Sequence, residues 1–298
     1  MPVPGDVAAL CAGAERAQRR LELAFFGGSF TCIGQERMRP LLEAAAPFLG
    51  HVITGIRIST RPDAVDGEIL AFLRRYGVTA IELGAQSMDD RVLQLNGRGH
   101  TARQVEEAAR RIREAGFELG LQMMLGLDGS TAEDDLDTAR RLIACAPDTM
   151  RIYPTLVLRG TALERRMRAG RYRPLSLEEA VERTVGILEL LDPYPGIRLI
   201  RIGLHPSASL EERLIAGPYH PAFRELCEGA LMQQRLLGQI GRPAAGKTVS
   251  AAVAPGELSR MLGHRRCNAL ALRQQGVVLR VLEREGISPL HPQLVSIS

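Results

Sequence analysis

AIELGAQS (80–87), TARQVEEAARRIREAG (101–116) and ELGLQMMLG (118–126) form one predicted strand–helix–strand unit. The outer two are short apolar runs typical of buried strands, whereas the middle one repeats apolar residues at helical spacing. That helix is predicted to stop at Gly116, because glycine accepts the left-handed backbone that ends many helices. The unit predicts two parallel strands joined by a crossover helix.

The same alternation of strand and helix continues along the chain, about five times in all. Further strands are predicted at LELAFFGG (21–28), ITGIRIST (53–60), TMRIYPTLVL (149–158) and IRLIRIGL (197–204). Their apolar character on both faces is expected of parallel strands buried between layers. The fold class is therefore α/β. An open or complete (β/α) barrel and a doubly wound sheet both fit this pattern.

Composition places the chain among ordinary globular proteins. Of its 298 residues 45% are hydrophobic and 24% charged, which is the usual balance. No run approaches the roughly 18 apolar residues of a membrane span, and the N-terminus lacks the basic start of a signal peptide. We predict a cytoplasmic protein without a membrane partner. The net charge of +4 mildly favours an anionic partner.

The five cysteines are spread along the sequence, at positions 11, 32, 145, 227 and 267. Their odd number and wide spacing exclude a C-x-x-C type of metal or redox motif and argue against a disulfide framework. We therefore assign no metal ligands in this chain.

Two domains are predicted, residues 1–219 and residues 220–298. The stretch AGPYHPAF (216–223) interrupts the strand–helix alternation. A helix over about 221–240 follows, and then a small β-α-β unit made of TVSAAVA, the helical ELSRMLGHRRCNALALRQQ and VVLRVLE. The second domain is thus a small α+β domain.

GRPAAGKT (241–248) matches the phosphate-binding pattern G-x-x-x-x-G-K-[ST]. That loop functions only between a strand and the helix it opens, where backbone N–H groups face the phosphates. Here a predicted helix precedes the match and a predicted strand follows it, which is the reverse order. The match does not indicate a nucleotide triphosphatase.

Candidate functional residues lie where the predicted strands end, because parallel α/β folds bind ligands at the carboxyl ends of their strands. Those ends carry glycine or polar residues: Gly27, Gly28, Ser29, Ser59, Glu82, Gln86 and Gln122. A tight turn at the glycines and a core polar network between Glu82 and Gln86 are the structural alternatives. Nearly every strand end carries glycine or an uncharged polar group rather than a carboxylate pair, which suits an adenosine-bearing cofactor better than general acid–base chemistry. No catalytic residue is assigned.

Five segments, in this order and spacing, resemble the radical S-adenosylmethionine (radical SAM) superfamily: FFGGSFT, IRISTRPD, IELGAQSMDDRVLQLNGRGHT, GLQMMLGLDGST and MRIYPTLVLRGT. The branch they resemble is that of the Elongator catalytic subunit, with oxygen-independent coproporphyrinogen oxidases more distant. The resemblance covers about residues 20–220. It implies a partial (β/α)6 barrel that binds S-adenosylmethionine (SAM) across its strand ends and here lacks its first strand.

The resemblance also implies roles for individual residues. Gly27, Gly28 and Ser29 match the motif that receives the SAM amino and carboxylate groups. Ser59 matches a ribose-contacting position where relatives often carry Glu. Arg98 matches an arginine that reaches the SAM carboxylate. Gln86 matches a glutamine of the family pattern, and Gln122 stands where distant relatives have an Asp that contacts the ribose.

One feature of the family has no counterpart in the printed sequence. Radical SAM enzymes hold a [4Fe-4S] cluster with three cysteines in C-x-x-x-C-x-x-C, upstream of the glycine motif, as the resemblance implies. Only Cys11 precedes Gly27 here, so the ligands of the expected cluster are not in this chain. A start assigned too late and a relative without a cluster are the two explanations we expect.

Two functions from different classes follow. The first is a radical SAM enzyme that cleaves SAM to a 5′-deoxyadenosyl radical and modifies a substrate, for which an RNA base is one candidate. The second is a non-catalytic SAM- or RNA-binding module. Gly263-His264-Arg265-Arg266 is a candidate contact to RNA phosphate, with an exposed run of charge as its alternative.

Overall fold

The computed structural model describes residues 2–241 and 245–298. Twelve α-helices occur in that part of the chain: α1 Pro4–Arg16, α2 Gln35–Ala45, α3 Gly67–Arg75, α4 Asp90–Leu95, α5 Ala102–Glu114, α6 Ala132–Ala144, α7 Ala162–Arg168, α8 Leu177–Leu191, α9 Ala208–Arg213, α10 Phe223–Ile240, α11 Leu258–Leu262 and α12 Cys267–Gln274. None of them is long and apolar enough to cross a membrane.

The strands of the same residues are β1 Leu21–Phe25, β2 Ile53–Thr60, β3 Val78–Gln86, β4 Glu118–Leu125, β5 Thr149–Pro154, β6 Val157–Leu158, β7 Arg198–Ile202, β8 Leu214–Ala216, β9 Thr248–Val253, β10 Val278–Glu283 and β11 Gln293–Ile297. Six of them form one sheet in the order β1-β2-β3-β4-β5-β7, a curled half-barrel of parallel strands. The partial barrel predicted from the sequence is confirmed, and all six predicted runs contribute a strand to it.

Helix ends follow the signals in the sequence. Thr131 accepts a hydrogen bond from the backbone N–H of Asp134 and opens α6 with a capping box, and Ser176 does the same for α8. Gly116, just beyond α5, has a φ of 73°, which glycine adopts without steric cost. Local chemistry therefore sets these boundaries.

The chain divides into two compact units. One comprises residues 1–153 and 194–200, and the other residues 154–193 and 201–298. The first contains β1 to β4 and most of β5. One face of its sheet packs on helices α3, α5 and α6 through buried apolar residues such as Ile81, Leu83, Leu119 and Leu121.

The second unit contains a three-stranded sheet in the order β10-β9-β11. Strand β10 pairs parallel to β9, and β11 pairs antiparallel to it. Helix α10 precedes this sheet and supplies Met232 and Leu236 to its core, together with Leu272 of α12. The predicted helix over about 221–240 is confirmed as α10.

The phosphate-loop match lies between these elements as expected. Helix α10 ends at Ile240 before it, and β9 begins at Thr248. Residues 242–244 of the match lie outside the described residues. A helix therefore precedes the match and a strand follows it, the reverse of the order that a phosphate loop needs.

Candidate functional site at the carboxyl ends of the sheet

The face of the sheet opposite helices α3, α5 and α6 carries a set of polar side chains, contrary to the expectation of strands that are apolar on both faces. Alternate residues along a strand share a face, and on β2 to β5 one alternation carries Arg57, Ser59, Glu82, Gln86, Gln122, Thr149, Arg151 and Tyr153. The fold tolerates several of these groups because they have polar partners: Glu82 contacts Arg151, Gln86 contacts Gln122, and Arg57 contacts carboxylates on β1 and β4.

Glu82 and Arg151 form the central ion pair of this face. The Glu82 side chain is almost completely buried, and its Oε1 lies 2.6 Å from Nε of Arg151. Nε of Arg151 and Oε2 of Glu82 have no hydrogen-bond partner among the described residues. Burial raises the pKa of Glu82, against the opposing charges of Arg151 and Arg57.

Arg57 links three strands nearer their amino ends. It is 5% exposed and donates from Nε to Glu22 at 3.0 Å and from Nη2 to Glu118 at 2.8 Å. Burial opposes its charge, but the hydrogen bonds and charges of these two carboxylates outweigh burial and raise the pKa of Arg57. This cluster lies on the polar face nearer the amino ends of the strands, whereas the candidate site lies at their carboxyl ends. We therefore assign the cluster a structural role.

Two glutamines meet where β3 and β4 end. Nε2 of Gln122 donates to Oε1 of Gln86 at 3.1 Å. Gln86 has a φ of 67°, a left-handed conformation that is uncommon for residues with a side chain and is enriched at binding sites. The structure thus brings together two of the predicted cofactor-binding residues.

Arg98, in the loop between α4 and α5, is a half-buried cation without a carboxylate partner among the described residues. Its Nη2 lies 3.5 Å from Sδ of Met124, two residues beyond Gln122 on β4. Its Nε is buried and has no hydrogen-bond partner among the described residues, and burial lowers the pKa of this guanidinium. A desolvated charge of this kind favours binding of an anionic group.

The glycine turn follows the end of β1. Gly27 has a φ of 104°, and a Cβ at Gly27 or Gly28 would meet no atom within 4 Å, so open space adjoins this backbone. The turn borders a groove of about 150 Å³ that is also lined by Phe25, Phe26, Ser29, Phe30, Ile33 and Leu41. The preceding Phe26 is 48% exposed, and its ring stacks on the Arg151 guanidinium, 4.7 Å from the centroid. This cation–π contact connects the glycine turn to the Glu82–Arg151 pair.

His100 fastens the turn that carries Gln86. The ring is 6% exposed, and its Nε2 lies 3.0 Å from the carbonyl oxygen of Ala85, to which it donates as the Nε2–H tautomer. Burial lowers the pKa of His100. We assign it a positioning role rather than a catalytic one.

Replacing His100 by Gln is expected to reduce the decrease in the free energy of unfolding between pH 7.5 and pH 5.5. Because the folded-state pKa lies below the ordinary value of 6.5, the unfolded state binds the proton more tightly, and His100 costs stability as the pH falls below about 6.5. Urea unfolding at pH 7.5 and 5.5 measures the difference. His51→Gln, at an exposed histidine, is the control. If both variants reduced this decrease equally, the assignment of a lowered pKa to the buried His100 would be contradicted.

The described residues include no group of three His, Cys, Asp or Glu side chains that could hold a metal ion. Cys11 is buried in α1, Cys32 is exposed beyond the glycine turn, and burial raises the pKa of Cys227 to about 12. Thiolates are the ligands that iron–sulfur clusters require. The residues of this chain therefore do not fit a [4Fe-4S] cluster.

The predicted site residues lie along the carboxyl edge of one sheet. Ser59 is in register with Glu82, Gln86 contacts Gln122, and Arg98 lies beside β4. Sequence reasoning assigned no role to Arg151 or Phe26. An arginine in an apolar strand, at the alternation that carries polar groups on the neighbouring strands, is the signal that indicates Arg151.

Comparison with protein-family models gives two matches. The model described as the radical SAM superfamily matches residues 4–142, and the radical SAM C-terminal domain matches residues 147–233.

Similar proteins were found among curated sequences and solved structures. The tRNA uridine(34) acetyltransferase of Dehalococcoides mccartyi is 35% identical over 51% of this chain and 33% of its own length. Human Elongator complex protein 3 is 36% identical over 62% of this chain and 33% of its own length. This chain thus spans about a third of each relative. The archaeal Methanocaldococcus infernus Elp3 with an N-terminal deletion superimposes with a TM-score of 0.67 at 23% identity, over 81% of this chain and 62% of that one, which shows the fold.

Proposed function

Because this chain belongs to the radical SAM superfamily and is related to Elongator-type tRNA-modification enzymes, we propose that it binds SAM at the carboxyl edge of the half-barrel and acts in the modification of RNA. The binding step rests on residues of this chain. The RNA substrate rests on the names of relatives that this chain covers only in part.

Arg98 carries the proposal. SAM bears a carboxylate at one end, and Arg98 is a desolvated guanidinium with an unpartnered Nε at the strand ends. A charge-assisted hydrogen bond to that carboxylate would satisfy the buried donor and restore charge balance. In the same assignment Gly27, Gly28 and Ser29 receive the amino-acid end of SAM through backbone groups.

The remaining contacts suit the adenosine part of SAM. Ser59 supplies a hydroxyl for the ribose. Gln86 and Gln122 supply amide donors and acceptors, and their mutual hydrogen bond orients them before any ligand arrives. Pre-orientation of this kind lowers the entropic cost of binding.

In the family a [4Fe-4S] cluster supplies the electron that cleaves SAM. The residues of this chain do not fit such a cluster, so we derive no radical step from them. A SAM- or RNA-binding module without catalysis is the second candidate function, favoured by the dispersed cysteines.

Substitution of Arg98 by Ala tests the SAM site. The change is expected to weaken SAM binding by about 1.5–3 kcal/mol, roughly 10- to 150-fold, through loss of a hydrogen bond to a charged group. Methylthioadenosine contains the adenosine of SAM but lacks its carboxylate, so its affinity should stay the same. Titration calorimetry with both ligands measures the two affinities in each variant.

The control is Arg103→Ala, at an exposed arginine that pairs with Glu107 in the same region of sequence. It should leave both affinities unchanged. Equal SAM affinity in wild type and Arg98→Ala would contradict the assignment of Arg98. If the wild type binds neither ligand, the proposed function itself is wrong.

A further inference from the structure

The C-terminal sheet carries a turn that was not expected from the sequence. The predicted single helix between β9 and β10 is wrong. The structure has two short helices, α11 and α12, separated by Gly263–Arg266. Gly263, Arg265 and Arg266 have φ values of 81°, 51° and 62°, and such left-handed backbone interrupts a helix. The element order is therefore strand, helix, turn, helix, strand.

Hydrogen bonds and close packing fix the conformation of this turn. Nδ2 of the buried Asn268 donates to the carbonyl oxygens of Gly229 and Met261, at 2.9 and 3.1 Å. A Cβ at Gly263 would lie 2.6 Å from Sγ of Cys267 and 2.9 Å from the backbone N of Asn268, so only glycine fits there. Gly229 in turn lets α10 approach the carbonyl of Arg260. The turn is pre-organised rather than a loose loop.

A cavity of about 420 Å³ opens beside the turn. Its lining includes Arg224, Glu225, Glu228, Arg260, His264 and Arg265, and Nδ1 of His264 lies 3.4 Å from Oε2 of Glu225. The buried Glu228 already pairs with Arg224 and Arg260, which leaves Arg265 as a cation with no carboxylate partner among the described residues. Burial first, and then the neighbouring His264 and Arg265, lower the pKa of His220. Glu225 acts in the opposite direction on that pKa, so it is Arg265 that remains available to a negatively charged ligand.

We propose that residues 245–298, together with α10, bind single-stranded RNA through the turn Gly263–Arg266. Two helices joined by a G-x-x-G turn and flanked by strands are the arrangement of KH domains, in which that turn clamps the backbone of about four nucleotides. Here Arg266 stands where the second glycine is usual, yet it keeps the left-handed backbone. His264 and Arg265 occupy the two middle positions, beside the cavity.

Recognition at this site is expected to depend on the RNA backbone. Residues 245–298 contain no Phe, Tyr or Trp, so bases cannot stack there on the large aromatic rings that many single-strand-binding proteins use. Exposed apolar side chains occur on the two elements that follow the turn, Leu270 in α12 and Val278 and Leu282 in β10. Contacts to phosphates, together with apolar side chains against the bases, do not distinguish one base from another. We therefore expect the site to show little preference for RNA sequence.

The double variant His264→Asp/Arg265→Asp tests the proposal in the full chain. Asp tolerates left-handed backbone, so the turn should keep its shape. The affinity for a fluorescein-labelled, unstructured 12-nucleotide RNA at 0.1 M salt is expected to fall at least about tenfold. The dependence of the logarithm of the affinity on the logarithm of salt concentration should become shallower, by about 0.7 for each lost phosphate contact.

Arg273→Asp/Gln274→Asp is the matched control, because it makes the same change in formal charge at exposed positions in the last turn of α12. It should retain RNA binding. Arg265→Asn, a milder change that also suits left-handed backbone, should weaken binding by a few-fold. Circular dichroism confirms that each variant is folded.

Three results would overturn the proposal: no RNA binding by the wild type, equal losses in the turn variant and its control, or preference for a duplex over the single strand. SAM affinity is measured in the same variants and should not change. A failure of RNA binding is thereby distinguished from a failure of the SAM site.

Discussion

Arg151→Met is expected to lower the free energy of unfolding by about 3–5 kcal/mol at pH 8, because it leaves Glu82 as a buried charge without its partner. Glu82 is 1% exposed, so water cannot replace Arg151. Methionine fills similar space with an unbranched side chain, which keeps the cavity contribution small. Urea denaturation monitored by circular dichroism measures the effect.

The deficit of this variant should depend on pH in a defined direction. Burial already raises the pKa of Glu82 above its ordinary value of 4.5, and removal of Arg151 raises it further. A raised folded-state pKa means that the folded protein binds the proton more tightly, so stability is retained below the unfolded-state pKa and lost as the pH rises through the folded-state pKa. The difference from wild type should therefore shrink as the pH is lowered towards 5.

The double variant Glu82→Gln/Arg151→Met and the two single variants together form a double-mutant cycle. Gln keeps the shape of the carboxylate but not its charge, so at pH 8 the double variant should be more stable than Arg151→Met alone. Additive effects of Glu82→Gln and Arg151→Met would show that the two groups are not coupled, and would contradict the assignment of an ion pair at the centre of the polar face.

Gly263→Ala is expected to destabilise the C-terminal sheet by about 2–6 kcal/mol, the sum of backbone strain and steric overlap. The backbone there, with φ 81° and ψ 160°, is a region that side chains avoid at a cost of about 1–3 kcal/mol. The added methyl would also overlap Sγ of Cys267 and the backbone of Asn268, and forced overlap of this kind costs about 1–3 kcal/mol more. Faster hydrogen exchange of peptides from β9 and α12 than in wild type is the expected observation.

Gly34→Ala separates the two contributions. Gly34 has nearly the same backbone, with φ 83° and ψ 152°, but a Cβ there would meet no atom within 4 Å. Its destabilisation should be the strain alone and should affect peptides around α2. If Gly263→Ala lowered the free energy of unfolding no more than Gly34→Ala, the close packing inferred around Gly263 would be wrong. The rigidity that the RNA site requires would then be wrong as well.

Much of the half-barrel was predictable from the sequence because its determinants are local. Apolar runs of strand length alternate with helical periodicity, and each crossover helix carries its own start and stop. Thr131 and Ser176 open helices with capping boxes, and Gly116 follows the end of one. These signals act over three or four residues, so a chain read in short windows reveals them.

The polar face was decided only by the tertiary structure. Glu82 and Arg151 come from different strands, as do Arg57 and Glu118. Their pairing depends on which strands are neighbours and in what register, and this register is a property of the sheet as a whole. Polar residues in apolar runs signalled that partners were needed, but not which ones.

The turn at Gly263–Arg266 shows the same limit at short range. By composition, ELSRMLGHRRCNALALRQQ is a plausible continuous helix. Tertiary contacts favour the interrupted form: Asn268 donates to the carbonyl oxygen of Gly229 on α10, and the backbone at Gly263 packs so closely against Cys267 and Asn268 that a side chain would not fit. The sequence by itself thus determined the order of strands and helices. The two polar sites exist only because residues far apart in the chain are packed together. Burial there makes an unpaired charge costly, so that each charge needs a specific partner.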